Sequence, residues 1–220
     1  LGLAIIFAAY RMHSLAALAL VAALYHCLNH ALFKSLLFLG TGSVLHATHE
    51  RSLGKLGGLI HRMPWVAWTA LVGTLAIAGL PPLNGFVSEW LLLQAFLFTP
   101  TLPQSFVNML VPIAAAALVL AAALAAYVMV KFYAIVFLGR MREPHLAYAK
   151  DAGLLERAAL IYLAAGCVVL GIFPVNVIAM LDPVNALLVG SSAIQDGPRS
   201  WLLLAPINAD RSSYSPLIVL

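Results

Sequence analysis

The stretch YHCLNHALFKSLLFLGTGSVLH, residues 25–46, lies in an apolar segment long enough to cross a membrane, yet it carries three titratable side chains within about two helical turns. His26, His30 and Lys34 recur every four residues, so on an α-helix they form one polar stripe about 12 Å long. A cationic group near the bilayer centre costs roughly 2.5–3.5 kcal/mol, and such residues usually face a bundle interior or a water-filled path. The stripe therefore predicts a route for protons or ions.

The composition places the chain among integral membrane proteins. Of its 220 residues, 63% are hydrophobic and only 9% are charged, about a third of the charged share of a typical soluble domain. The net charge of +4 does not indicate nucleic-acid binding, because the basic residues form no continuous face with interleaved aromatic residues. Cys27 and Cys167 lie inside apolar segments without a CxxC pattern, and we interpret both as buried hydrophobic residues.

The apolar segments predict an all-α fold, a polytopic transmembrane helical bundle over residues 1–181. We expect its helices at about 1–10 (the end of a helix), 15–46, 63–98, 109–139 and 157–181. Residues 182–220 are expected to form an interfacial or periplasmic loop and the start of a further transmembrane helix at 214–220. In this loop, the stretch 183–194 is too short to span and is expected at the interface, with Trp201 as an interfacial anchor. The short apolar runs at both ends suggest part of a longer polypeptide.

The basic residues predict the orientation of the chain in the membrane. Loops 47–62 and 140–156 each contain three Lys or Arg residues, whereas loop 99–108 contains no charged residue. By the positive-inside rule, the two basic loops face the cytoplasm. We therefore expect a multi-pass protein of the inner (cytoplasmic) membrane.

A second decisive feature is a break in the segment 63–98, which as one straight helix would be about 54 Å long, far beyond a ~30 Å hydrocarbon core. Its middle reads AGLPPLNGFVSEW, residues 78–90. Pro81-Pro82 cannot donate backbone hydrogen bonds, and Asn84-Gly85 suits a cap and a restart. We expect one discontinuous helix broken at the two prolines, and such helices often build transport sites.

Two more ionisable residues lie at membrane depth. Glu89 is expected in the first full turn of the second half-helix, where the helix dipole favours its ionised form and burial its protonated form. It is a candidate for loading and releasing a proton, or else a structural carboxylate that satisfies the broken backbone or pairs with a Lys. Lys131, in AAYVMVKFYAIVFLGR, is either an interfacial anchor or structural ion-pair partner, or a cytoplasm-side station on a proton path.

Metal and cofactor sites are disfavoured by the residue types present. His26 and His30 have the spacing of zinc ligands, but they lack the Glu of an HExxH motif and a local carboxylate or Cys to complete a ligand set. The other histidines fall in loops or at helix ends, which disfavours haem ligation between facing helices. The chain contains no cysteine set for an iron–sulfur or nickel centre and no nucleotide-binding loop, so we expect no metal and no cofactor in it.

Two motifs together resemble a known family. The pattern HxxxHxxxKxLLFLxxGSxxH at residues 26–46, followed by GLPPLxGFxxE at 79–89, resembles the antiporter-like membrane subunits of respiratory complex I, Mrp-type cation/proton antiporters and membrane-bound [NiFe] hydrogenases. With THERS at 48–52 and FYAIVFLGR at 132–140, the chain is most similar to the large antiporter-like subunit of formate hydrogenlyase and hydrogenase-4 complexes. The resemblance covers most of residues 1–182.

The resemblance implies a proton-translocating subunit of a redox-driven complex. It implies that His26, His30 and Lys34 belong to a central hydrophilic axis, that Glu89 is a proton station near one half-channel, and that Lys131 has a less direct counterpart. It also implies a preceding broken helix with a Lys–Glu pair, before residue 1. The implied partners are other membrane subunits and peripheral [NiFe] hydrogenase and iron–sulfur subunits, which would carry all electron transfer.

Two alternatives remain open at this point. The first is a subunit of a Na+/H+ antiporter of the Mrp type, with Ser88 and Asn84 among the ion ligands, or an antiporter-like subunit of complex I. The second is a structural membrane anchor in which the charged groups form a static network.

Overall fold

The structure is a computed structural model that describes residues 1–97, 99, 102–192 and 214–215. The regular elements of this part of the chain are helices, which confirms the predicted all-α fold. The main helices are α1 (Gly2–Ala9), α2 (His13–Thr48), α3 (Pro64–Ile77), α4 (Asn84–Leu97), α5 (Ser105–Val136), α6 (Leu154–Ile172) and α7 (Pro174–Val189).

The long helix α2 lies at the centre of the bundle. It packs against α1, α3, α4, α6 and α7. Its first half carries small and aliphatic residues that are almost completely buried between Ala16 and Ala22. The helices α2, α5 and α6 are long and apolar enough to cross a membrane, and α3 and α7 are shorter apolar helices. The chain is therefore a membrane-embedded helical bundle.

The predicted break in the segment 63–98 is present. Helix α3 ends at Ile77 and α4 begins at Asn84, with a cis peptide bond between Pro81 and Pro82 in the connection. Two glycines allow the backbone around this connection to pack closely. A Cβ atom at Gly85 would overlap the carbonyl oxygen of Ala76, and one at Gly171 of α6 would overlap that of Pro82. The broken segment is thus packed closely against both its own first half and α6.

The expected helix at 157–181 is corrected by the structure. Helix α6 ends at Ile172, Phe173 has non-helical dihedral angles, and Pro174 begins α7. Pro174 contributes to this division, because proline provides no N–H for the preceding helix and disfavours helical geometry in the residue before it. Its presence is not sufficient, since Pro112 and Pro183 lie inside α5 and α7. Residues 183–189, expected at the interface, belong to α7. Trp201 and residues 216–220 lie outside the described residues.

The two basic loops lie on the same side of the bundle. We call residues 49–63 loop A and residues 137–153 loop B. The backbone N–H groups of Gly58 and Ile60 donate to the carbonyls of Leu138 and Phe137, each at 3.0 Å, and Arg142 donates to two carbonyls of loop A. This agrees with the predicted topology, in which both loops share one face of the membrane.

Each loop also contains a carboxylate that binds backbone N–H groups. Asp151 of loop B accepts hydrogen bonds from Trp65 at 3.0 Å and Val66 at 3.5 Å, in the first turn of α3. In loop A, the backbone N–H of Ser52 and the nearby Lys55 hold the pKa of the Glu50 carboxyl below its ordinary value. These contacts order the loop backbone without long side-chain networks.

One interpretation of the cysteines is wrong. Cys167 is buried as expected, but Cys27 is exposed. Position 27 lies on the same face of α2 as Leu28 and Ala31, which no helix of the described part covers.

Candidate functional site

The site begins with a contact between α2 and the second half-helix. The Nδ1 atom of His26 lies 2.9 Å from the hydroxyl oxygen of Ser88. The same hydroxyl donates to the carbonyl of Gly85 at 3.0 Å, one turn earlier in α4. Ser88 is buried and His26 is half-buried. The polar stripe of α2 is thereby connected to the helix that restarts after the break.

A pair of asparagines fixes this contact. The side-chain amide of Asn29 donates to the carbonyl of Asn84 at 2.8 Å, and that of Asn84 donates to the carbonyl of Asn29 at 3.5 Å. Both residues are fully buried, and both Oδ1 atoms lack a hydrogen-bond partner among the described residues. Asn29 of α2 pairs with Asn84 of α4. His26, one turn before Asn29 in α2, pairs with Ser88, one turn after Asn84 in α4. The two helices therefore cross antiparallel, with their register set by two polar contacts.

The rest of the stripe continues along α2. The ring centroids of His26 and His30 are 6.0 Å apart, and Phe33 packs edge-on against both rings. His30 is exposed and Lys34 is half-buried. The Lys34 ammonium lies 5.6 Å from the centre of the Phe38 ring. Thus the three predicted residues share one face of α2, but within the described part of the chain only His26 makes a hydrogen bond to another helix.

Lys34 borders a groove between three helices. Besides Lys34 and Leu37 of α2, the groove is lined by Ile77, the last residue of α3, and by Met129 and Phe132 of α5. The C-terminal end of a helix carries a partial negative charge on its free carbonyl groups. The break therefore places a helix end of this polarity beside the Lys34 side chain.

Glu89 lies on the other side of the same helix end. Its carboxylate contacts Gly79, since a Cβ atom at that glycine would overlap it. Gly79 also has a φ of +65°, a left-handed conformation that favours glycine. Glu89 is half-buried, and no ion pair to it occurs among residues 1–97 and 102–192. Because α4 begins at Asn84, Glu89 falls in its second turn, where the helix dipole acts more weakly than in the first turn.

The structure does not bring Lys131 to this cluster. Lys131 is exposed on α5, and its ammonium lies 5.9 Å from the ring centre of Tyr127 on the same helix. It lies five residues before Val136, the end of α5, and therefore about 7.5 Å along the axis from that end. This position favours the anchor alternative. Met129 and Phe132, rather than Lys131, face the groove beside Lys34.

The sequence prediction missed two residues of the site. Asn29 was not singled out, although it is a polar residue one turn from His26 in an otherwise apolar helix. The contact between Gly79 and Glu89 was also missed, because it depends on how the connection at the break folds. Ser88 was considered only as a ligand for a metal cation, whereas the structure pairs it with His26.

The donor set does not describe a metal centre. Among the described residues, no group of three or more His, Cys, Asp or Glu side chains could hold a metal ion. That the chain carries no cofactor stays a prediction. The groups present are instead an imidazole pair, a hydroxyl, a carboxylate and an amine at a helix break, and each of them can accept or donate a proton.

An all-α membrane bundle with a discontinuous helix and ionisable groups near the break is an architecture typical of the class of membrane transport proteins. Residues 3–110, which include both sequence motifs, match the family model described as NADH:quinone oxidoreductase/Mrp antiporter, TM. This part of the chain therefore belongs to that family of antiporter-like membrane proteins, and the resemblance read from the two motifs is confirmed.

The chain is similar to two proteins of Escherichia coli (strain K12). Formate hydrogenlyase subunit 3 is 41% identical over 182 residues, which cover 83% of this chain and 30% of that protein. Hydrogenase-4 component B is 40% identical over 153 residues, which cover 70% of this chain and 23% of that protein. The chain thus spans less than a third of the length of these relatives.

A solved structure supports the fold. A chain in the structure of the membrane-bound sulfane sulfur reductase (MBS), an archaeal respiratory membrane complex, matches with a TM-score of 0.76 and 29% sequence identity. The match covers 92% of this chain and 30% of that chain. The arrangement of helices around the break is therefore shared with a subunit of a large membrane complex.

Proposed function

We propose that this chain is part of a proton-translocating antiporter-like membrane subunit of a redox-driven complex, of the membrane-bound [NiFe] hydrogenase or formate hydrogenlyase type. The observation that carries the proposal is the His26–Ser88 hydrogen bond of 2.9 Å at the helix break. It connects the polar stripe of α2 to the half-helix that carries Glu89. The similarity to formate hydrogenlyase subunit 3 supports the type of complex.

The pathway consists of groups that can exchange protons across the break. Glu89 is one station beside the end of α3, and the stripe His26, His30 and Lys34 forms the next stations along α2. The ring centroids of His26 and His30 are 6.0 Å apart, and no hydrogen bond joins these two rings in the described part of the chain. In the proposal a water molecule bridges this step, since ordered water is favourable where buried polar groups can bind it. Lys131 is a proton station only if a partner subunit covers the exposed face of α5.

Redox chemistry in partner subunits drives the movement. A change of charge or hydration in those subunits shifts the balance of protons between Glu89 and the cationic stripe. The partners are other membrane subunits and peripheral [NiFe] hydrogenase and iron–sulfur subunits. Loops 47–62 and 140–156 lie on the cytoplasmic side of the inner membrane. The basic residues of both loops and the hydrogen bonds between the two loops support this orientation.

The test uses the full-length protein assembled with its partner subunits and reconstituted in phospholipid vesicles with a trapped pH-sensitive dye. Glu89→Gln removes the titratable proton but preserves size and polarity, so the rate of proton movement should fall by about 10²-fold. The matched control is Glu143→Gln in loop B, which lies outside the bundle and should keep the normal value.

Each outcome decides between the functions considered. Normal proton movement in an assembled Glu89→Gln complex contradicts the role of Glu89 as a station. A wild-type complex that turns over without moving protons supports the structural anchor instead. Proton movement that follows an imposed Na+ gradient without redox turnover supports a Na+/H+ antiporter and contradicts the redox-driven proposal.

A further inference from the structure

We infer that Ser88 is a positioning residue that holds His26 in the tautomer with its proton on Nδ1, so that Nε2 is the atom that accepts and releases the transported proton. This inference rests on the proposed function for its role in transport. Its structural part, the tautomer, stands on the hydrogen bonds of Ser88 alone. In this tautomer His26 is the donor and Ser88 the acceptor of the hydrogen bond between α2 and α4.

The hydroxyl of Ser88 determines the direction of its hydrogen bond with His26. A serine hydroxyl has one hydrogen to donate and two lone pairs to accept with. Its hydrogen goes to the carbonyl of Gly85 at 3.0 Å, the common back-bonding pattern of serine in a helix. The oxygen then faces Nδ1 of His26, at 2.9 Å, as an acceptor. Nδ1 must therefore be the protonated nitrogen of the neutral ring.

The surroundings prevent this contact from rearranging easily. Ser88 is 1% exposed, so water does not compete for its hydroxyl from outside. The Asn29–Asn84 pair lies one turn away and is fully buried, which keeps α2 and α4 from sliding past one another. Val87 and Leu91, on either side of Ser88 in α4, are also buried. The His26 ring is thus held at Nδ1, with Nε2 on its opposite edge.

This geometry has a consequence for proton transfer. When Nε2 takes up a proton, the cationic ring donates from both nitrogens, and the bond to Ser88 is kept. When Nε2 releases the proton, the ring returns to the same neutral tautomer without rotating. In the opposite tautomer, uptake at Nδ1 would require breaking the contact with Ser88. Ser88 therefore keeps His26 ready for a repeated transfer through a single atom.

The experiment is nitrogen-15 NMR of the full-length protein labelled at histidine, with the His26 signals assigned by their loss in a His26→Gln variant. In the wild type, at a pH where the ring is neutral, we expect a protonated Nδ1 and an unprotonated Nε2. Ser88→Ala should reduce the preference for this tautomer roughly two- to tenfold, the range of one hydrogen bond. Ser88→Thr retains a hydroxyl and should restore the preference. His30→Gln is the control and should leave the His26 tautomer unchanged.

Three results would overturn the inference: a wild-type His26 protonated at Nε2, a ring that stays doubly protonated up to about pH 9, or an unchanged preference in Ser88→Ala. All are read without a transport assay, so they are distinct from a failure of the proposed function. Proton movement by the Ser88→Ala complex adds the link between the two. A normal rate together with a changed tautomer shows that Ser88 positions His26 without serving transport.

Discussion

Gly85 is the position at which a single methyl group should test the packing of the helix break. A Cβ atom built on Gly85 overlaps the backbone carbonyl oxygen of Ala76, near the end of α3. A backbone group at the end of a helix cannot rotate away as a flexible side chain can. The variant Gly85→Ala must therefore push the start of α4 away from α3 and disturb the contacts of Asn84 and Ser88.

The expected cost follows from the nature of the overlap. Overpacking of a tightly packed site typically costs 1–3 kcal/mol, and Gly85→Ala should lie in the upper half of that range because the obstacle is backbone. Gly42→Ala is the matched control, since its Cβ meets nothing within 4 Å and Gly42 lies within α2, well before its end at Thr48. There the gain in helix propensity should stabilise the protein by about 0.4–1 kcal/mol.

The measurement is the thermal unfolding midpoint of the full-length protein in mild detergent, with proton movement of the reconstituted complex as a second readout. Gly85→Ala should lower the midpoint by several degrees, at about 2–4 °C per kcal/mol. Proton movement should fall even in the fraction that stays folded, since the His26–Ser88 contact depends on where α4 starts. If Gly85→Ala unfolds at the same temperature as Gly42→Ala, the close packing of the two half-helices is refuted.

Three further substitutions test the start of α3 and the two lysines at membrane depth. Asp151→Ala removes the carboxylate that binds the N–H groups of Trp65 and Val66 at the start of α3. In the same thermal assay it should lower the free energy of unfolding by about 1–2 kcal/mol. No change would mean that water caps α3 equally well. Lys34→Met should abolish most proton movement in vesicles, whereas Lys131→Met should retain most of it because Lys131 lies apart from the stripe and the break. Equal loss in both lysine variants would give Lys131 a place on the pathway.

Much of the architecture could be predicted because its causes are local. Pro81-Pro82 ends a helix wherever it occurs, and a four-residue spacing places His26, His30 and Lys34 on one helical face. The division at Phe173 coincides with Pro174, which suits the first position of a helix. Proline alone does not determine a break, since Pro112 lies inside α5 and Pro183 lies inside α7.

The contacts that build the site could not be predicted in the same way. Asn29 and Asn84 are 55 residues apart in the chain, and His26 and Ser88 are 62 residues apart. Both pairs depend on how α2 and α4 cross and on the register between them. No local pattern contains that register. The contact of Gly79 with Glu89 depends likewise on how six residues between α3 and α4 turn back, which sequence spacing alone does not determine.

The break does more than interrupt a helix, because it creates a helix end at membrane depth. The carbonyls of Thr74, Leu75 and Ala76 accept hydrogen bonds from the backbone N–H groups that follow them, so the partial negative charge of this end comes from the dipole of α3. Here the negative end of α3 lies next to the groove of Lys34 on one side and next to the Glu89 carboxylate at Gly79 on the other. It attracts the lysine cation and repels the carboxylate, so the same helix end interacts with the two groups with opposite signs. On the proposed pathway, transfer of a proton between Lys34 and Glu89 would therefore change the electrostatic energy of this helix end.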